Sequence, residues 1–263
     1  MKDALIVERD GRVVTLINND APRNRMSLDF MDALEEQVDA LERDDSVGAV
    51  VIRGAGDEHF SVGMNLKQIP EGIQRKGNFE AVLDQRLRVI SKIENMDKPW
   101  IATLYGYCLG GGLELPLGCH FRLAAEQGAK IGLPEFDIGG VPAWGGTARL
   151  TRCVGRANAL DMILRVKMIS GPEAYRIGLV QYVHPNDELQ DRAQELAQEL
   201  ATRPPVAMAG VLRCVVGAEE ESLAEALQVE RRAVRAGMGG KEMQEGLRAF
   251  LEKREPNFFP DAD

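Results

Sequence analysis

The chain has 263 residues, 44% hydrophobic and 28% charged, which is typical of a globular protein with a sizeable core. A net charge of −9 argues against nucleic acid as a partner, because affinity for a phosphate backbone comes from clustered Lys and Arg. No run approaches the roughly 18 apolar residues of a membrane span, and the amino end lacks the apolar stretch of a signal peptide. We therefore expect a cytoplasmic protein that binds neither membrane nor nucleic acid, built as one large domain or as one domain with a small appendage.

A hairpin, a helix and a strand are predicted first. Two short apolar segments flank Asp10-Gly11, a dipeptide typical of hairpin turns, which predicts a hairpin over residues 4–17. Ser27 is a favoured helix N-cap, and the apolar residues after it recur at helical spacing. Those residues are Met31, Leu34, Val38 and Leu41. The apolar run 49–53 then predicts a buried strand.

A second long helix is predicted over residues 79–96 and is ended by Pro99. Its buried side is expected to carry Leu83, Leu87, Ile90 and Ile93. Apolar strands at 100–104 and 121–124 enclose a short helix at 113–119. This alternation of strands and helices favours the α/β class with largely parallel strands.

The last quarter of the chain shows only helical patterns, from about Asp187 onward. The predicted helices cover residues 189–201, 206–216, 223–236 and 241–253. Arg203-Pro204-Pro205 breaks the helical pattern and marks the best boundary. We therefore divide the chain into residues 1–202 and a helical region, 203–263.

The triple glycine Gly110-Gly111-Gly112, with Glu114 two residues further on, is the most informative motif. Glycines after a strand let the backbone approach a ligand closely, and the first N–H groups of the next helix are free to face negative charge. A tight turn in which glycine merely avoids a clash fits these residues equally well. The dinucleotide-binding spacing GxGxxG is absent, and no Gly-Lys-Ser or Gly-Lys-Thr of a P-loop follows.

Pro134-Glu135 is the second motif, in which a proline fixes the backbone ahead of a carboxylate. Taken alone, such a glutamate is more often an exposed helix-start residue than a catalyst. Glu114 and Glu135 lie 21 positions apart (135 − 114), so only the fold can bring them together. The four cysteines are widely spaced with no His at ligand spacing, and they suggest neither a disulfide framework nor a zinc site.

Segment 98–155, which contains both motifs, resembles the signature of the crotonase superfamily, the enoyl-CoA hydratase/isomerase family. The similarity extends along nearly the whole chain, through FSVGMNL (60–66), ISGPEAYRIGLVQYV (169–183) and LEKREPNF (251–258). It implies a crotonase (ClpP/crotonase-like) ββα spiral core in residues 1–202. It also implies that the C-terminal helical region, 203–263, packs subunits into a homotrimer or a dimer of trimers.

The resemblance also implies catalytic roles. In the family, two main-chain N–H groups hold the thioester carbonyl oxygen, and the matching positions are Met64 and Gly111. Such fixed donors stabilise the enolate-like charge that develops on that oxygen. Hydratases keep both glutamates, whereas isomerases generally rely on the second. Because this chain has both, the resemblance implies an enoyl-CoA hydratase in which Glu114 positions the water and Glu135 delivers the α-proton.

Substrate contacts follow from the same resemblance. Arg23 and Arg25 match a segment that lines the nucleotide arm of CoA, and Lys67 follows the oxyanion loop; a solvated surface charge is the alternative for each. The Ala143 N–H is expected to help hold the water, and the bulky Trp144 to reshape the acyl pocket. The other expected contacts are Ser61, Asn65, Leu66, Gly110, Pro134, Phe250 and Lys253, the last two on a helix that closes over a ligand, often that of a neighbouring subunit.

No metal and no redox cofactor is expected, since coenzyme A is part of the acyl-CoA substrate. Two alternatives share the fold: an enoyl-CoA isomerase, and a hydratase of a specialised cyclic or aromatic-pathway acyl-CoA. A third belongs to another class, a non-enzymatic CoA-binding or RNA-associated homologue. The acidic charge and the presence of both glutamates argue against this last alternative.

Overall fold

The computed structural model describes residues 3–218 and 221–259, so the outermost ends of both predicted regions lie outside the described residues. The strands within them are β1 (Leu5–Asp10), β2 (Val13–Asn18), β3 (Ala49–Gly54), β4 (Trp100–Leu104), β5 (Tyr107–Leu109), β6 (Phe121–Ala125), β7 (Lys130–Gly132) and β8 (Tyr182–His184). The α-helices are α1 (Leu28–Arg43), α2 (Ile69–Lys76), α3 (Phe79–Glu94), α4 (Gly111–Leu117), α5 (Gly146–Leu164), α6 (Gly171–Arg176), α7 (Leu189–Ala201), α8 (Pro205–Gly217), α9 (Leu223–Gly237) and α10 (Lys241–Glu252). Short 3-10 helices occupy Leu66–Gln68 and Pro134–Ile138.

Six strands form one sheet in the order β1-β2-β3-β4-β6-β8. β1 and β2 are antiparallel, and each later neighbour pair is parallel. The predicted hairpin and the predicted α/β class are therefore confirmed. β5 and β7 form a separate parallel pair beside this sheet. Sequence analysis missed that pair, because three-residue strands carry too little pattern to recognise.

Helix α7 packs across β2, β3, β4 and β6. Its buried residues Ala193, Ala197 and Ala201 recur every four positions and form a smooth stripe along the helix. Gly48 allows the close approach, since a Cβ built on it would lie 2.9 Å from the Ala201 Cα. Small side chains on both surfaces thus bring this helix close to the sheet.

The four C-terminal helices α7 to α10 match their predicted positions within one or two residues. Sequence analysis missed α2 and α6 and began α4 at residue 113, whereas the helix begins at Gly111. The predicted start lies after the glycines because glycine disfavours a helix interior, but at a first turn that cost is small. None of the helices in the described ranges has the length and apolar composition that a bilayer crossing requires.

The buried side of α3 differs from the prediction. Leu87 is exposed, whereas Gln85 and Arg86 are buried. Val82 and Ile93 set the inward face of the helix, and Arg86 falls on that face one turn after Val82. The prediction is confirmed for Ile90 and Ile93 and wrong for Leu87. Apolar residues occur on two sides of this helix, and their spacing alone does not fix its rotation.

Arg122 in β6 links the sheet to the end of α4. Its guanidinium donates to the carbonyl oxygens of Leu179 at 2.7 Å and Pro116 at 3.2 Å, and also to that of Cys119. The side chain is buried, so these acceptors have no water to replace it. Arg122 therefore fixes the helix that carries Glu114.

We expect Arg122→Met to lower the free energy of unfolding by about 3 kcal/mol, because it leaves buried carbonyl groups unsatisfied. Chemical denaturation followed by circular dichroism measures the change. Arg165→Met is the matched control: Arg165 is 76% exposed and pairs with Asp161 one turn away. That variant should change stability by less than about 0.5 kcal/mol, and equal losses in both variants would contradict the role of Arg122.

Candidate active site

Glu114 lies in the first turn of α4, directly after the triple glycine. Gly110 caps the helix with φ 56° and ψ −124°, a conformation that favours glycine. The turn therefore needs Gly110 for its backbone angles as well as for close approach. The Glu114 side chain is only 2% exposed, so the turn delivers a carboxylate into the protein interior.

Two main-chain N–H groups hold the Glu114 carboxylate. Trp144 and Gly146 donate to its Oε1 atom at 2.7 Å and 3.0 Å. Burial raises the pKa of Glu114 to about 7; the charge of Glu135 adds to the rise, and the two N–H groups oppose it. The carboxyl group therefore titrates near neutral pH, as a group that exchanges protons in catalysis must.

Glu135 follows β7 at the start of a 3-10 helix. A Cβ built on Gly110 would lie 2.8 Å from Glu135 Oε1, which places this carboxylate directly against the glycine turn. The Oε2 atom is buried and has no hydrogen-bond partner among the described residues. Burial raises the pKa of Glu135 as well.

The pairing of β5 with β7 brings the two glutamates together. Leu109 lies opposite Gly132 in this parallel pair, and the Gly110 N–H donates to the Gly132 carbonyl at 3.0 Å. Since parallel strands end on the same side, the segments that leave them emerge next to each other. The structure thus brings Glu114 and Glu135 to the same glycine turn, and the charge of Glu135 contributes to the raised pKa of Glu114.

Residues 61–65 lie along the other side of β5. Ser61 bridges Cys108, and a Cβ on Gly63 would lie 3.3 Å from the Gly111 nitrogen. Met64, the next residue, therefore lies beside Gly111. Met64 forms an isolated parallel β-bridge with Met26. Its hydrogen bonds are made by the Gly63 carbonyl and the Asn65 N–H, so the Met64 N–H takes no part in the bridge.

The Gly111 N–H is in the first helical turn and has no partner inside the helix. Together with the Met64 N–H it forms a pair of main-chain donors beside the buried Glu114 and the partly buried Glu135. Such an arrangement can stabilise negative charge on an oxygen while a carboxyl group moves a proton. The site is thus suited to chemistry next to a carbonyl group.

The Trp144 ring covers Gly111. A Cβ on Gly111 would lie 2.1 Å from the indole Cζ3 atom, and the Trp144 side chain is buried. Ala143 beside it is exposed. Sequence analysis treated Trp144 only as a pocket wall and missed that its N–H, with that of Gly146, holds Glu114. The Gly145-Gly146 pair was the available signal, because paired glycines often mark close backbone approach.

The predicted CoA contacts lie around the 61–65 segment. The Arg23 side chain is exposed, and its carbonyl accepts from the Val62 N–H. Arg25 instead pairs with Asp20 through two hydrogen bonds of 2.6 and 3.1 Å. The remaining positions of this group are Ser61, which is buried; Asn65 and Pro134, which are partly buried; and Leu66 and Lys67, which are exposed.

Phe250 and Lys253 lie in the C-terminal helical region, on α10 and at its end. Both side chains are exposed, Phe250 by 80%. The fold of one chain places them outside the core that carries the glutamates.

Comparison with known proteins gives a consistent result over the whole chain. The family model described as "Enoyl-CoA hydratase/isomerase" matches residues 10–260. A "Probable enoyl-CoA hydratase" of Bacillus subtilis (strain 168) is 35% identical over 97% of this chain and 98% of that protein. The "2,3-dehydroadipyl-CoA hydratase" of Escherichia coli (strain K12) is 34% identical over 97% of this chain and 98% of its own length.

A solved structure has the same fold. The crystal structure of an enoyl-CoA hydratase from Geobacillus kaustophilus HTA426 superposes with a TM-score of 0.92 at 29% identity. The match covers 98% of this chain and 97% of that one. The predicted crotonase fold is thereby confirmed.

The raised pKa of Glu114 predicts how stability depends on pH. The folded chain keeps this proton up to about pH 7, whereas the unfolded chain loses it near 4.5. The folded state therefore binds more protons between these values, and the contribution of Glu114 to stability is complete below pH 4.5 and is lost as pH rises to about 7. The loss amounts to about 3 kcal/mol.

Glu114→Gln removes this titration, while its amide oxygen can still accept from both N–H groups. We expect the variant to gain about 3 kcal/mol relative to wild type between pH 4.5 and pH 8, measured by urea unfolding at each pH. Glu58→Gln, in an exposed loop, is the control and should follow wild type. A constant difference between Glu114→Gln and wild type across this range would show that folding does not raise the pKa of Glu114.

Proposed function

Because the chain belongs to the enoyl-CoA hydratase/isomerase family, we propose that it is an enoyl-CoA hydratase. It adds water reversibly across the α,β double bond of an enoyl-CoA thioester. The observation that carries this proposal is the convergence of the buried Glu114 with the partly buried Glu135, both with raised pKa values. They lie beside two main-chain N–H groups that have no partner among the described residues. Hydration needs one group that takes a proton from water and one that gives a proton to carbon.

In this mechanism the Met64 and Gly111 N–H groups bind the thioester carbonyl oxygen. As water bonds to the β-carbon, the electron pair of the double bond moves toward that oxygen and builds an enolate. Fixed donors stabilise this charge without reorganising, by roughly 2.7–4 kcal/mol for each donor. The glycine turn serves the reaction because it lets the substrate oxygen come close to the backbone.

Glu114 binds the water and takes its proton, while Glu135 gives a proton to the α-carbon. The Glu114 Oε1 atom is held by two N–H groups, so its orientation is fixed and the second oxygen can face the water. Glu135 favours the protonated acid, because its Oε2 atom has no hydrogen-bond partner in the part of the chain that the structure describes. Two neighbouring carboxyl groups titrate as a pair, so the pH profile of the reaction reports the pair and not each residue alone.

The CoA moiety is proposed to lie along residues 61–67, with its phosphates near Arg23 and Lys67. Both side chains are exposed and carry positive charge suited to phosphate. Arg25 already binds Asp20, and its contribution is therefore the weaker one.

Glu114→Gln and Glu135→Gln should each lower kcat for crotonyl-CoA hydration by roughly 10²–10⁴-fold, because each removes a proton-transfer group. The loss of absorbance of the conjugated thioester measures the rate. Asp137→Asn, which changes an exposed carboxylate two residues after Glu135, is the matched control and should keep wild-type activity.

The proposal fails if wild type hydrates no short, medium or cyclic enoyl-CoA. A double bond that moves without uptake of water would instead identify an enoyl-CoA isomerase, which needs only one of the two carboxyl groups.

We also propose that the chain forms a homotrimer or a dimer of trimers through its C-terminal helical region. Large apolar side chains are exposed on α8 to α10, among them Val211, Val215, Leu227, Val234, Met243, Leu247, Phe250 and Leu251. Such a surface is typical of a protein interface.

Light scattering should give three or six chain masses for wild type, and Val215→Asp should lower the mass by placing a charge in the contact. Val7→Asp, on the exposed side of β1, is the control and should leave it unchanged. A monomeric wild type would contradict the assembly without affecting the proposed reaction.

A further inference from the structure

Arg86 is a buried cation on the inward face of α3. Its side chain is 0% exposed and shares this face with Val82, Val89 and Ile93. Burial lowers its pKa to about 10, which reflects the cost of holding a charge away from water. A position that packing alone would fill with an apolar side chain thus carries a guanidinium.

Among the described residues, hydrogen-bond partners are found on only one side of this guanidinium. Nη1 donates to the Val82 carbonyl at 2.7 Å and to Gln85 Oε1 at 3.1 Å. Nε and Nη2 are buried without a hydrogen-bond partner among the described residues. The carboxylate of Asp32, whose charge raises the Arg86 pKa, already accepts hydrogen bonds from Lys76 and Gln85.

The unused Nε and Nη2 atoms form the edge that binds a carboxylate through two parallel hydrogen bonds. Other arginines of this chain use this edge for carboxylates, in the pairs Arg25–Asp20, Arg149–Glu94, Arg176–Glu173 and Arg213–Asp97. At Arg86 the same edge is present and no carboxylate of the described residues occupies it.

Arg86 lies next to the proposed acyl site. Its Cζ atom is 5.6 Å from the centre of the Trp144 ring, within the range of a cation–π contact. That ring covers Gly111, one of the two proposed oxyanion donors. The Trp144 ring therefore lies next to both the proposed oxyanion donor, Gly111, and the Arg86 guanidinium.

We propose that Arg86 determines substrate specificity by binding a carboxylate at the far end of the acyl group. The substrate class is then the enoyl-CoA thioester of a dicarboxylic acid. The inference rests on the proposed function, because it adds the acyl end to that reaction. Since Trp144 and Arg86 are both buried, the acyl group reaches the guanidinium by moving the indole away from Gly111.

The test compares acyl groups that have the same number of carbons and differ only at the far end. Hydration of 2,3-dehydroadipyl-CoA is compared with hydration of trans-2-hexenoyl-CoA. Binding of the unreactive adipyl-CoA is compared with that of hexanoyl-CoA by calorimetry. We expect wild type to favour the carboxylated member of each pair by roughly 10²-fold or more, in kcat/KM and in Kd, because the unpaired guanidinium penalises a methyl end.

Arg86→Met should abolish or reverse both preferences, and Arg86→Lys, which keeps the charge but not the two-pronged edge, should retain only part of them. The ratio within one protein sample does not depend on how much of a variant folds. Arg88→Met is the matched control, since Arg88 lies two residues away on α3, is 60% exposed and pairs with Glu35. It should keep the wild-type ratio.

Equal use of both substrates by wild type overturns the inference and leaves the hydratase proposal intact. The same holds if Arg86→Met lowers both rates by one factor, which would make Arg86 a purely structural residue. A preference in binding without hydration of any enoyl-CoA supports the carboxylate site and overturns the hydratase proposal instead.

Discussion

The parallel pairing of β5 with β7 is the constraint on which the site depends. These strands have only three residues each, yet β5 receives β7 on one side and the Ser61 bridge on the other. The glycine turn that follows β5 is thereby placed between Glu135 and Met64. The two glutamates and the two main-chain donors of the proposed reaction converge because β5 is paired on both sides.

Electrostatics explains why main-chain groups hold Glu114. A salt bridge would lower its pKa and keep it ionised, whereas hydrogen bonds from neutral N–H groups fix its position without cancelling the effect of burial. Arg149 is near enough to lower the pKa slightly, but its guanidinium is bound to Glu94 at 2.7 Å. The carboxyl group therefore remains able to exchange a proton near neutral pH.

Much of the fold was predictable, because long helices and the first hairpin carry strong local patterns. The site was predictable only as two motifs: nothing in residues 110–114 or 133–136 indicates that they meet, since the β5–β7 pairing that joins them is too short to recognise. The resemblance to the crotonase signature supplied that link. Neither the local sequence pattern nor the resemblance to the crotonase signature indicated a role for Arg86. Its burial depends on the rotation of α3, and the apolar Leu87 beside it favoured the wrong face.

Trp144 connects the three parts of the site. Its N–H fixes Glu114, its ring covers Gly111, and the same ring lies against Arg86. A movement of the indole that admits an acyl group therefore also exposes the Gly111 N–H and changes the surroundings of the guanidinium. Because the backbone of Trp144 is held by its bond to Glu114, the ring can turn while the catalytic carboxylate keeps its position. In the proposed reaction Trp144 thus serves two parts of the site: its N–H fixes the catalytic carboxylate, and the position of its ring controls access both to the Gly111 N–H and to Arg86.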